Sequence, residues 1–199
     1  PLGRAVGNAL EVREAIETLK GNGPDDLYEL SLAIGSQMLI LAKLAKDERE
    51  AREKLNRVIQ NGRALEKLRE LIIAQGGDAR LIDQPELLPQ AKYIFDIISA
   101  QDGFIKDIKG DEVGMGALML GAGRDKIDSK IDLGVGIYLS KKVGDFVNKG
   151  ESIGKIHSNT KEIENIKSRL INAYTYSQDR IEPIKLIYGI VKEKRIEYF

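Results

Sequence analysis

Apolar residues recur at helical spacing through roughly the first third of the chain. Over 9–20 the pattern predicts an amphipathic helix that ends at Gly21-Asn22-Gly23, since glycines stop helices. Pro24, followed by two aspartates, predicts the start of a second helix, because carboxylates suit the positive helix end. The stretch 38–42 is apolar on every side, which predicts a helix buried against several neighbours. The predicted inward positions of this second helix are Leu27, Leu30, Ile34, Met38, Leu41 and Ala45.

Two further helices follow by the same criteria. Asp47 is a suitable cap for the third helix, which ends at Asn61-Gly62, and a fourth over 64–75 ends at Gly76-Gly77. The residues predicted to face inward are Ala51, Leu55, Val58 and Ile59 in the third helix and Leu65, Leu68 and Leu71 in the fourth.

Beyond residue 90 the pattern changes to that of strands. The runs at 93–98, 103–108 and 133–139 are rich in β-branched and aromatic residues, which favours strands. Between them, 112–120 predicts a short helix closed by glycines, and Asn159-Thr160 predicts the cap of a helix running to Ala173. Glycines and prolines in 76–90 are typical of a linker. Helices followed by a mixed part predict an α+β protein with two structural units.

Composition narrows the class of protein only a little. Lys plus Arg and Asp plus Glu both number 31, so no net charge attracts nucleic acid or an acidic membrane surface. Cysteine is absent, which excludes disulfides and thiolate metal sites. No apolar run approaches the roughly 20 residues that span a bilayer. We therefore expect a soluble, cytoplasmic protein with neither nucleic acid nor membrane as partner.

The opening run is the most specific motif in the chain. Residues 1–15 read Pro-Leu-Gly-Arg-Ala-Val-Gly-Asn-Ala-Leu-Glu-Val-Arg-Glu-Ala, a glycine-punctuated loop leading into a helix. This run resembles a mid-chain segment of pyrimidine-nucleoside phosphorylases and the related thymidine phosphorylases. Further similarity lies in 26–38, 121–136 and 142–150, so the resemblance covers 1–173. It implies that the sequence is the C-terminal half of a longer enzyme.

The resemblance also implies a domain organisation. Residues 1–80 would be the helical part of the family's phosphate-binding α/β domain, 81–90 a linker, and 91–199 a C-terminal α+β domain with a β-sandwich or hammerhead-like sheet. Helices that cover a sheet from the missing half would expose apolar side chains such as Leu39, Ile40 and Leu68, and we expect the isolated chain to self-associate.

The activity implied by the resemblance is phosphorolysis. Uridine or thymidine and phosphate, the co-substrate, would give a free base and a pentose 1-phosphate in nucleoside salvage by a homodimer. The family's phosphate and base ligands belong to the missing N-terminal half. No catalytic or substrate-binding residue is therefore assigned here, and the chain alone is expected to be inactive.

One family site does fall on this chain. Members of the bacterial branch bind a monovalent or other hard cation, with potassium the expected ion, and the resemblance places carbonyl ligands at Leu2 and Ala5 and a carboxylate ligand at Glu14. Hard cations take oxygen ligands, which suits this set. The alternative is that Glu14 is a solvated helix carboxylate and Leu2-Gly3 a frayed terminus.

Other candidate residues have structural explanations. His157, the one histidine, lacks a carboxylate or cysteine cluster and is expected to be structural. Gly121-Ala-Gly-Arg124 lacks the Gly-Lys-Ser/Thr of a phosphate loop and predicts a helix stop. The clusters Lys141-Lys142 and 192–195, like Glu11 and Arg13, predict solvated faces.

A non-catalytic binding or carrier module is the alternative function. Residues 143–150 resemble a turn of biotinyl and lipoyl carrier domains. Such domains need a lysine at a hairpin tip, usually beside a methionine, and no lysine adjoins Met115 or Met119. A similar β-sandwich without the carrier function explains the turn.

Overall fold

A computed structural model of the protein describes residues 1–192 and 195–198, with helices and strands in nearly the predicted order. The first part holds strand β1 and four helices, and two short 3₁₀ turns follow at Ala79–Ile82 and Pro85–Leu87. The bounds are β1 Ala5–Val6, α1 Asn8–Leu19, α2 Asp25–Leu41, α3 Glu48–Gln60 and α4 Arg63–Ala74.

The second part alternates strands with two helices. The predicted strands 93–98 and 103–108 match the observed bounds, whereas the strand predicted over 133–139 begins only at Gly136. The bounds are β2 Tyr93–Ile98, β3 Gly103–Ile108, α5 Gly110–Leu120, β4 Gly136–Leu139, β5 Phe146–Val147, β6 Ser152–Ser158, α6 Glu164–Ala173, β7 Tyr174–Ser177, β8 Gly189–Lys192 and β9 Arg195–Tyr198.

The strands form three antiparallel sheets. The largest has the order β1-β4-β6-β2, the second β5-β3-β7, and β8 pairs with β9. The main hydrophobic core combines both larger sheets with α5 and α6. Its fully buried members include Ile97, Ile105, Ile137, Ile156 and Leu170. The fold class is therefore α+β, as expected.

The two parts of the chain are more closely associated than two units joined by an exposed linker would be. Strand β1 lies in the first part, yet it pairs with β4 in the sheet of the second part. Within the predicted linker 81–90, Ile82 and Leu88 are buried. The division into 1–80, 81–90 and 91–199 stays a prediction.

The prediction that α2 is buried on several sides is wrong for this chain. Its buried residues are Leu32, Ala33 and Ser36, on the face where α2 approaches α3. Ile34, Met38 and Leu41 are instead exposed at 55%, 65% and 82%. An apolar pattern shows that a face avoids water, but it does not show that the covering element belongs to the same chain.

Two smaller predictions also need correction. Leu71 was predicted to face inward but is 55% exposed. Leu39, Ile40 and Leu68 were predicted to be exposed, but they are half-buried. The exposed apolar residues of α2 are instead Ile34, Met38 and Leu41, which lie on a neighbouring face of the helix.

The predicted cap at Asn159-Thr160 is wrong as well. Helix α6 begins at Glu164, and its capping position, Ile163, makes no side-chain cap bond. Asn159 Oδ1 instead accepts the N–H of Lys92 at 2.8 Å, and Thr160 Oγ1 accepts the N–H of Glu162 at 3.2 Å. Thr160 holds the loop before the helix by a local bond of the kind that Thr makes in turns, whereas Asn159 joins that loop to the distant backbone that precedes β2.

Candidate cation site at the sheet edge

The opening loop, residues 1–7, approaches strand β4 where Gly7 and Gly136 face each other. A Cβ on Gly136 would lie 2.5 Å from the Val6 carbonyl oxygen and 3.0 Å from Gly7 Cα. A Cβ on Gly7, whose φ is +142°, would lie 2.5 Å from the Val135 oxygen. The absence of side chains therefore lets β1 approach β4 closely and places α1 directly beside the sheet.

The backbone polar groups of Ala5 point away from the neighbouring strand β4, although the residue itself is buried. It lies opposite Tyr138, and Val6 lies opposite Ile137, while the Leu139 N–H donates to the Arg4 carbonyl at 2.7 Å. Because hydrogen-bonded and non-hydrogen-bonded pairs alternate along an antiparallel ladder, Ala5 occupies a non-hydrogen-bonded position. Its N–H and C=O therefore both point away from β4, on the side where Glu14 of α1 accepts the N–H, and the residue is buried at 7% exposure.

Glu14 lies on that same side. It projects from α1 so that Oε1 accepts the N–H groups of Arg4 at 2.9 Å and Ala5 at 3.2 Å. A Cβ on Gly3, where φ is +66°, would lie 2.2 Å from Glu14 Oε2. The Glu14 carboxylate therefore occupies the space that a side chain at position 3 would fill. Glu14 is half-buried rather than solvated, and the carbonyl of Ala5 faces the same side as the N–H that Glu14 accepts.

Leu2, the third predicted ligand, lines a different cleft from Glu14. Its side chain is 43% exposed and lines a cleft of about 660 Å³ with Asp26 and Lys142. Glu14 lines a different cleft of about 390 Å³ with Arg4, Tyr138 and His157. The structure thus brings Ala5 and Glu14 together, and Leu2 would contribute only its backbone carbonyl, two residues before Arg4.

A hard monovalent cation fits this donor set. One carboxylate and backbone carbonyls are oxygen ligands, and a single negative charge suits an ion of low charge. Within the described residues, no three or more His, Asp or Glu side chains come close enough to hold a metal ion. A cation here would therefore depend on the backbone carbonyls, and the site stays a prediction.

Two residues that support this loop were not recognised from the sequence. Lys142, predicted to be solvated, is only 24% exposed, and its Nζ lies 3.1 Å from Asp26 Oδ2. Asp26 was predicted to lie at a helix start and at the beginning of the similar segment 26–38, with no role in the opening loop. The sequence carries no local signal for this pair because 116 positions separate the two residues. The neighbouring Lys141 pairs with Glu151 at 2.7 Å.

The remaining candidates lie in the strands, turns and termini of the second part. His157 lies in β6, and burial, followed by the charges of Arg13 and Lys155, lowers its pKa. Gly121 ends α5 with φ +96°, as predicted. In the basic cluster 192–195, positions 193 and 194 lie outside the described residues.

Among the described residues, no lysine beside a methionine lies at a hairpin tip, as the carrier alternative would require. Met115 and Met119 lie on helix α5 rather than at a hairpin tip. Lys149 lies in the turn between β5 and β6, where its N–H donates to Asp102 Oδ1 at 2.7 Å. The carrier-like turn at 143–150 leads from β5 to β6, which lie in different sheets, so it is not the tip of a paired hairpin of this β-rich domain.

No described helix has both the length and the apolar character needed to cross a membrane.

Comparison with known proteins defines that domain. Residues 104–177 match the pyrimidine nucleoside phosphorylase C-terminal domain. The matched stretch is thus similar to a domain of the nucleoside phosphorylase class, and it covers most of the two-sheet core just described.

Relatives match almost the whole chain. The pyrimidine-nucleoside phosphorylase of Staphylococcus epidermidis is 50% identical over 193 residues, covering 97% of this chain and 44% of the relative. That of Geobacillus stearothermophilus is 47% identical, covering 94% and 43%, and that of Bacillus subtilis is 46% identical, covering 97% and 44%. The chain belongs to the pyrimidine-nucleoside phosphorylase family. It corresponds to the C-terminal part of these relatives and spans about 44% of their length.

Proposed function

We propose that the protein to which this chain belongs catalyses the phosphorolysis of pyrimidine nucleosides. Phosphate oxygen would attack the anomeric carbon of uridine or thymidine while the bond from that carbon to the base nitrogen breaks. The products are the free base, which takes up a proton, and a pentose 1-phosphate. The observation that carries this proposal is 46–50% identity to pyrimidine-nucleoside phosphorylases over nearly the whole chain.

The 199 residues alone are proposed to be inactive. A phosphorylase must hold a dianionic nucleophile against the anomeric carbon and stabilise the departing base. The relatives are more than twice as long as the matched segment, which supports placing these substrate groups outside it. The partners proposed for the whole protein are a pyrimidine nucleoside, phosphate and a second copy in a cytoplasmic homodimer.

A comparison of two samples tests this proposal. The complete gene product and the 199-residue chain are each incubated with uridine and phosphate, and uracil is measured by chromatography. We expect phosphate-dependent release of uracil from the complete protein alone. Omission of phosphate is the control. A complete protein that releases no base, or an isolated chain that does, would contradict the proposal.

A potassium ion at Leu2, Ala5 and Glu14 is the second part of the proposal. It is supported by the outward carbonyl of Ala5 and by the position of Glu14 on the same side of the loop. In the complete protein, Glu14→Gln removes the one ligand charge and should weaken potassium binding, measured by calorimetry with choline chloride replacing potassium chloride. Glu17→Gln, one turn further along α1, is the matched control. Equal potassium affinity in wild type and Glu14→Gln would refute the assignment.

A further inference from the structure

The opening loop is held on its other side by an ion pair from distant parts of the chain. Asp26 lies in the first turn of α2, and its Oδ2 accepts the Gly3 N–H at 3.1 Å. Lys142, which follows β4, donates from Nζ to the carbonyl of Gly3 and to that of Pro1. The two side chains meet at 3.1 Å, so both backbone polar groups of Gly3 are bound by one ion pair.

The donors and acceptors of this cluster match in number. A lysine ammonium has three N–H donors, and Lys142 Nζ contacts two carbonyl oxygens and one carboxylate oxygen. The backbone N–H of Lys142 donates to Asp145 Oδ2 at 2.8 Å, and this bond fixes the turn in which Lys142 lies. Lys142 is therefore anchored at both its backbone and its ammonium group.

An ordinary surface ion pair does not explain this arrangement. Exposed pairs contribute little to stability and do not hold a defined backbone geometry. Here both side chains are only 24% exposed, and Gly3 is buried with φ +66°. The pair fixes the peptide groups on either side of a left-handed glycine.

We infer that Lys142, paired with Asp26, is a positioning residue for the cation site at Leu2, Ala5 and Glu14. Lys142 binds the carbonyl groups of Pro1 and Gly3. It thereby keeps these two groups apart from the carbonyl group of Leu2, which is the predicted cation ligand between them. Asp26 neutralises the ammonium charge, so the lysine does not oppose a nearby cation with a full positive charge. This inference rests on the cation site of the proposed function.

The test measures potassium binding in the complete gene product. Potassium chloride is titrated by calorimetry at constant ionic strength, with choline chloride as the replacement salt. Lys142→Met keeps the aliphatic stem and removes the ammonium, and Asp26→Asn is the second variant. Lys141→Met is the matched control, because it removes a neighbouring ion pair that does not touch the loop.

We expect the potassium dissociation constant of Lys142→Met to rise about 10- to 100-fold, as when residues that orient metal ligands are lost. Lys141→Met should stay within about twofold of wild type. Amide hydrogen exchange at Gly3, Arg4 and Ala5 should be faster in Lys142→Met than in Lys141→Met, since a merely global loss of stability would affect all amides alike.

The outcomes separate this inference from the proposal beneath it. A folded Lys142→Met that binds potassium as wild type does would overturn the inference and leave the cation site intact. Should wild type itself bind no potassium, the cation site fails and the inference fails with it. Phosphorolysis by the complete protein is measured independently of either result.

Discussion

Replacing Gly136 by alanine should separate the opening segment from the sheet. The added Cβ would lie 2.5 Å from the Val6 oxygen, 2.9 Å from Leu10 Cδ1 and 3.0 Å from Gly7 Cα. Two of these three atoms belong to backbone, which cannot rotate away as a side-chain end can. The β1–β4 pairing must therefore open for alanine to fit.

The magnitude follows from opposing effects. Overpacking of this kind costs about 1–3 kcal/mol, and each lost ladder hydrogen bond costs about 1 kcal/mol more. Replacing a glycine restricts the unfolded chain and returns roughly 0.5–1 kcal/mol. We expect Gly136→Ala to lower the free energy of unfolding by about 2 kcal/mol.

Urea unfolding followed by circular dichroism provides the assay, with amide exchange at Val6 and Ile137 to locate the change. Gly114→Ala is the matched control, because Gly114 lies exposed on α5 and no side chain or other element comes within 4 Å of its added Cβ. Relief of a helix glycine should stabilise that variant by about 0.5–1 kcal/mol. A Gly136→Ala protein as stable as wild type, with unchanged exchange at Val6, would refute the close-approach explanation.

Three further predictions concern single residues. Lys43 has φ +58° where α2 ends, so Lys43→Gly should stabilise the protein by about 1 kcal/mol in urea unfolding; an unchanged midpoint would contradict this. Asp47 Oδ1 caps α3 by accepting the Glu50 N–H at 2.8 Å, and Asp47→Ala should cost about 1 kcal/mol by the same assay, whereas Asp47→Ser should cost less. The pKa of His157 is lowered from 6.5 by burial, so the unfolded state binds the proton more readily and the free energy of unfolding should fall as pH drops through 6.5. In His157→Gln this fall between pH 7 and 5.5 should be shallower, and identical slopes in the two proteins would contradict the prediction.

Local chemistry made most of the elements predictable from sequence. Glycine ends helices at Gly62 and Gly121, both with left-handed φ, and Asp47 caps α3 as its position suggested. These signals act within a few residues of the element that they define. Predictions that depended only on such signals were confirmed, apart from the cap at Asn159-Thr160.

Predictions that needed distant partners were less successful. The burial of α2 was inferred from the pattern of apolar positions, but Met38 and Leu41 are exposed, because such a pattern does not identify what covers a helix. Lys142 was assigned to a solvated face, since nothing near it in sequence indicates Asp26 or the opening loop. The three cation ligands came from family resemblance, and the positions of Ala5 and Glu14 agree with that proposal without testing it.

The participation of β1 in the sheet limits how this protein can be divided. A cut in the 81–90 segment would remove a strand from the sheet of the second part and leave β4 with an unpaired edge. Ile137 and Leu139 are fully buried on that strand, and a bare, apolar strand edge recruits strands from other molecules. Recombinant production of the C-terminal domain would therefore need residues 1–19 supplied as a separate peptide or fused to its start, or the product would aggregate through β4.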